Sequence, residues 1–138
     1  SAEVRTGIIM DEWKNGEKPN KRPYIYFGDI LANEYALDAQ TGELIWKIKT
    51  DDHPNATRTA TSAKFEDILF VPVSGLEVIP AFNDDYECCT FRGGLLAIEA
   101  NTGKTLWKQY SIPVPAKYSG KTSGYAWPVH PAGYEQGD

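Results

Sequence analysis

Ala36-Leu37-Asp38-Ala39-Gln40-Thr41-Gly42-Glu43-Leu44-Ile45-Trp46-Lys47 returns in constant register as Ala97-Ile98-Glu99-Ala100-Asn101-Thr102-Gly103-Lys104-Thr105-Leu106-Trp107-Lys108. Both copies fit A-x-(D/E)-x-x-T-G-x-x-x-W. A long pattern recurring at fixed spacing marks a repeated structural unit. Its physics is local. The acid can accept hydrogen bonds from the backbone just ahead of it, and the glycine takes a positive φ, so the centre of the motif is turn chemistry. In the first copy β-rich runs flank the turn, Glu34 to Leu37 before it and Leu44 to Ile48 after it, and the whole reads as a hairpin. Trp buries a large ring and carries one N–H that needs an acceptor. One Trp per repeat predicts a girdle that docks neighbouring sheets.

Working outward, further strands are expected over Val4 to Met10, Tyr24 to Phe27, Thr57 to Lys64 and Ile68 to Pro72. No stretch holds a helical period over twelve residues. The fold class is therefore all-β, with four strands per repeat as in the blades of a β-propeller. Residues 1–138 read as one partial propeller domain of about two blades, with the repeats at 36–47 and 97–108. A closed propeller takes roughly four to eight blades, so the remaining blades are expected in the same or another chain. Three segments read as long and irregular: Asp11 to Arg22, Val78 to Cys89, and Ile112 to Asp138. Loops of that length are usually functional or disordered.

The formal net charge of −5 and the absence of a clustered basic patch argue against nucleic-acid binding. No apolar run approaches the roughly 18 residues of a membrane span. The first residues are polar and do not read as a secretory signal. The two cysteines, Cys88 and Cys89, are adjacent, which is not zinc-ligand spacing. They read either as a vicinal disulfide ring or as two small buried hydrophobes. His53 and His130 read as isolated, with no nucleophile–base pairing. There is no phosphate-cradling glycine loop.

The tryptophan repeat resembles that of the pyrroloquinoline-quinone (PQQ) dehydrogenases of the eight-bladed propeller type. Asp51-Asp52-His53-Pro54 and Cys88-Cys89-Thr90-Phe91-Arg92-Gly93 look most like the polyvinyl-alcohol dehydrogenase branch. The resemblance covers nearly all of residues 3 to 112. It implies a fragment of an eight-bladed propeller that oxidises alcohols with a Ca²⁺-bound PQQ. It further implies a cytochrome c as electron acceptor and a periplasmic or secreted location, which an oxidised cysteine pair would suit.

The resemblance also assigns roles. Arg5 resembles the arginine that pairs with cofactor carboxylates, for which a guanidinium fork is the matching shape. Thr59 and Ser74 look like the hydroxyls on the cofactor rim. Ser74-Gly75-Leu76-Glu77 is similar to the family's Ser-Gly-Ala-Glu, which makes Gly75 part of the rim and Glu77 the Ca²⁺ ligand. A carboxylate at a strand end behind a glycine suits a hard cation. Cys88 and Cys89 look like the vicinal disulfide that lies against the quinone, although here the pair follows Glu77, where the better-known pattern has it before the residue matching Arg5. Arg92 could add positive charge there, or pair with Asp84 or Asp85. No residue matches the family's catalytic base, so the catalytic position stays unknown. The rival reading is a non-catalytic propeller used for scaffolding or assembly.

Overall fold

The computed structural model describes residues 2–12, 23–83, 85–86 and 88–115. Of the stretches expected to be irregular, residues 13–22 and 116–138, with His130, lie outside the described residues, as does Asp84.

Among the described residues nine strands form two antiparallel sheets in simple order. The first blade is β1 (Ile9–Met10), β2 (Tyr24–Gly28), β3 (Asn33–Asp38) and β4 (Leu44–Lys49). The second places β5 (Ala56–Thr57) and β6 (Ala63–Phe65) along one edge of β7 (Ile68–Gly75), followed by β8 (Gly94–Glu99) and β9 (Thr105–Tyr110). β5 and β6 are thus two pieces of one first strand. The only helical turn among the described residues is a short 3₁₀ segment, Pro80–Phe82, inside the stretch read as irregular.

The turn chemistry is as expected. Asp38 Oδ1 accepts from the backbone N–H of Gln40 and of Thr41 at 2.8 and 2.9 Å. Gly42 and Gly103 both take positive φ, 73° and 76°. Each donates its N–H to the carbonyl of the acid four residues back.

The first strands differ from expectation. Val4 to Met10 and Thr57 to Lys64 are not continuous: the former keeps a single bridge, Val4 to Asp29, before β1, and the latter is split into β5 and β6. The interruptions free side chains to reach the neighbouring blade. In the gap lie Arg58 and Ser62, which turn to Glu34 of β3. Pro72, which has no N–H to give, falls between Phe70, paired to β6, and Ser74, paired to β5. A proline in a central strand is tolerated where the ladder is already broken.

Alternate residues of β7, Leu69, Val71 and Val73, are buried, as period-two patterning requires. With Tyr26, Ala36, Trp46, Leu96, Ile98 and Ala100 they make one core spanning both blades. The Trp46 indole donates its N–H to the carbonyl of Ala100 at 2.9 Å, so the first repeat's tryptophan docks the two sheets as expected. Trp107 is 45% exposed and leans on Phe70. The blades also share the buried Arg58–Glu34 pair (3.0 Å), the Lys64–Asp11 pair (3.2 Å) and a bond from Gly7 N–H to Thr61 Oγ1 (3.0 Å).

Candidate functional site

The register brings the sequence-predicted residues to related positions. The Asp38 and Glu99 turns correspond, so their partners Tyr24 and Ile68 do too. Carrying this along β2 and β7 puts Asp29 level with Val73, Val4 level with Arg58, and Arg5 level with Thr59. The bond between Gly7 and Thr61, the next-but-one residues, agrees with that alignment. Arg5 is exposed, and its guanidinium meets Glu3 at 3.2 Å. Thr59 Oγ1 lies 3.4 Å from Ser74 Oγ. A Cβ on Gly75 would run into the Phe91 ring, so glycine is what lets Phe91 close over the strand end.

Glu77 is buried in the turn after β7. Its Oε1 accepts from the Tyr86 hydroxyl (2.8 Å), the Thr90 N–H (2.8 Å) and, more distantly, the Thr90 hydroxyl (3.4 Å). Its Oε2 accepts, among the described residues, from the Phe91 N–H alone (2.7 Å). Burial first, and then the bond to Glu77, pushes Tyr86 up to about 12. Cys88 and Cys89 are joined as a vicinal disulfide. Both sulfurs and a Glu77 carboxylate oxygen lie within 4.8 Å of one another. Oxidised sulfurs are not thiolate ligands, so Glu77 is the member of that group whose chemistry could hold a cation.

The geometry also gathers residues that sequence reading left apart. His53 Nε2 is 2.9 Å from Thr90 Oγ1, and its ring stands edge-on to Phe91. Asn55 N–H donates to His53 Nδ1 (3.1 Å), and Asn55 Nδ2 reaches the Tyr86 hydroxyl (3.3 Å). The His53 N–H is held by Asp51 Oδ1 (2.7 Å), while Asp51 Oδ2 pairs with Lys108 of β9. Burial works against the Asp51 charge, but Lys108 and the His53 N–H outweigh it and hold the carboxyl below its ordinary range. His53 was read as isolated because its partner lies across the fold. The only hint in the chain was its place in Asp-Asp-His-Pro. Among the described residues Arg92 makes no ion pair with Asp85. It lies over the Tyr110 ring at 3.8 Å and donates to the Pro113 carbonyl.

Two consecutive four-stranded blades docked by a tryptophan define a segment of a β-propeller, here with a vicinal disulfide beside a buried carboxylate. The chain is 46% identical over 87 residues to a polyvinylalcohol dehydrogenase of a Pseudomonas species, covering 63% of this chain and 14% of that protein. It is 35% identical over 113 residues to a polyvinylalcohol dehydrogenase of a Sphingopyxis strain, covering 75% and 17%. Among solved structures, a europium-containing methanol dehydrogenase matches at TM-score 0.52 and 31% identity, over 64% of this chain and 14% of that one. A quinohemoprotein alcohol dehydrogenase from Pseudomonas putida matches at TM-score 0.54 and 26% identity, over 70% and 14%. No family model matches the chain. Over the matched stretch the chain is similar to alcohol dehydrogenase propellers of the PQQ type, polyvinyl-alcohol dehydrogenases among them. It spans less than a fifth of the length of these relatives. Among the described residues no helix is long and apolar enough to cross a membrane.

Proposed function

We propose that this segment supplies part of the cofactor pocket of a PQQ-dependent alcohol dehydrogenase working in the periplasm or outside the cell. The observation that carries the reading is the buried Glu77 carboxylate with the Cys88–Cys89 sulfurs within 4.8 Å, directly beyond Ser74 and Gly75. The residues suit the group. A tricarboxylate quinone needs donors on its rim, and Thr59, Ser74 and the Arg5 fork are donors. A hard cation needs several oxygen ligands. Among the described residues Glu77 Oε2 accepts one bond, which leaves a position there for such a cation. When bound, the quinone accepts the electrons of the alcohol and the cation polarises it. This chain's own work is to orient: Glu77 fixes charge, the hydroxyls and Arg5 fix the rim, and the disulfide offers a flat face. The other ligands, the general base and the cytochrome partner fall to other parts of the enzyme.

The test is a titration of the protein with PQQ in the presence of Ca²⁺, followed by tryptophan fluorescence. Saturable quenching that Ser74→Ala, Thr59→Ala and Glu77→Gln each weaken supports the reading. Absent quenching, or quenching indifferent to all three, overturns it. One observation favours the rival, non-catalytic propeller: Glu77 already accepts four protein hydrogen bonds, enough to make it a loop anchor. That reading is what a negative titration would leave.

A further inference from the structure

We propose that His53 is a positioning residue, which acts through Thr90 to fix the Glu77 carboxylate and the disulfide loop. The hydrogen placement follows from the partners. A backbone N–H can only donate, so the bond from Asn55 makes His53 Nδ1 an acceptor. A neutral imidazole then carries its hydrogen on Nε2. That N–H donates to Thr90 Oγ1 at 2.9 Å and leaves the threonine hydrogen free to point at Glu77 Oε1. The hydroxyl contact is long, 3.4 Å; the short bond from the same residue is its backbone N–H, 2.8 Å. Holding the Thr90 side chain therefore also holds that amide, and with it the Phe91 amide on Oε2. The cysteines precede Thr90 immediately, so the same grip sets where the disulfide lies.

The ring is itself built in. Asp51 takes its backbone N–H and is anchored in turn by Lys108, and Pro54 restricts φ directly after it. The result, among the described residues, is an asymmetric carboxylate: three donors on Oε1 and one on Oε2. His53 and Thr90 keep the crowded oxygen crowded, so that the other one faces any incoming cation. This deepens the cofactor reading above, because the carboxylate it positions is the proposed cation ligand.

The readout is amide hydrogen exchange at Thr90 and Phe91, measured by NMR on the protein without quinone or metal. His53→Gln can still donate to Thr90 and keeps both amides protected. His53→Phe keeps the aromatic packing on Phe91 but has no donor, and exchange at both amides rises about tenfold, the loss of one hydrogen bond. The reverse ranking, with phenylalanine protected and glutamine not, makes His53 a packing residue and overturns the proposal. Should both variants fail to fold, Thr90→Val decides. It removes only the hydroxyl, and an unchanged Phe91 exchange rate overturns the proposal just as firmly. Because neither quinone nor metal is present, a failed PQQ titration sinks the cofactor reading without touching this result, and the converse also holds.

Discussion

Trp46 of the first blade donates its indole N–H to the carbonyl of Ala100 in the second, and Gly103 lies beneath its ring. A Cβ built on Gly103 would sit 2.8 Å from that ring, whereas one on Gly42 would meet nothing within 4 Å. Two glycines with the same motif place and nearly the same φ thus hold different jobs.

Gly103→Ala and Gly42→Ala separate the two costs. Both force alanine into a left-handed conformation, about 1 kcal/mol each. Only Gly103→Ala also pushes a methyl group into the Trp46 ring, which adds about 1–3 kcal/mol of overpacking. Urea denaturation followed by far-ultraviolet circular dichroism is expected to show the larger loss at Gly103. Equal losses would mean that the indole does not rest there.

Arg58 and Glu34 are both fully buried, and the pair is bridged by Ser62 Oγ, which lies 2.7 Å from Arg58 and 2.6 Å from Glu34. Burial pushes the Glu34 carboxyl up more than Arg58 and Ser62 pull it down. Arg58→Met leaves that carboxylate without its cation and is expected to cost about 3–5 kcal/mol. Arg58→Met with Glu34→Leu removes both charges, and is expected to recover a good part of the loss. Denaturation midpoints of the single and double variants test it: strict additivity would show that the pair is not coupled.

Tyr86 is expected to ionise at about 12, raised by burial and then by its bond to Glu77. Ultraviolet difference titration against Tyr86→Phe isolates its signal. Glu77→Gln takes away the negative charge and is expected to bring the value part of the way back toward 10.0. The sign for stability follows. The folded-state value is raised, so the contribution of Tyr86 is whole below pH 10 and fades as pH climbs through 12. A Tyr86 that titrates near 10 in the unmodified protein would break the link to Glu77.

The hairpins and their docking were readable because they rest on short-range rules: Asp38 bonds its own turn, glycine supplies the φ, and Trp46 needs an acceptor. The interrupted first strands were not readable. Arg58 looked like one residue in an alternating run, and only the proximity of Glu34, 24 positions away, pulls it out of the ladder. The site divides along the same line. Ser74, Gly75 and Glu77 are adjacent in the chain and announce themselves as a strand-end turn. The His53–Thr90 contact joins residues 37 positions apart, and nothing local in either segment encodes it. The stacking of Arg92 on Tyr110 was not legible either, because it depends on the pairing of β8 with β9.

The first repeat donates its tryptophan forward and the second receives it on its turn, so the hairpin is not the unit on which selection can act by itself. Trp46 and Gly103 sit in different repeats, yet either is useful only while the other is kept. Duplicating or exchanging a repeat would preserve every hairpin and still split such a partnership. A recombined propeller of this type should therefore be cut within a turn-to-turn interval that leaves ring and glycine together, and not at the apparent edge of the sequence repeat.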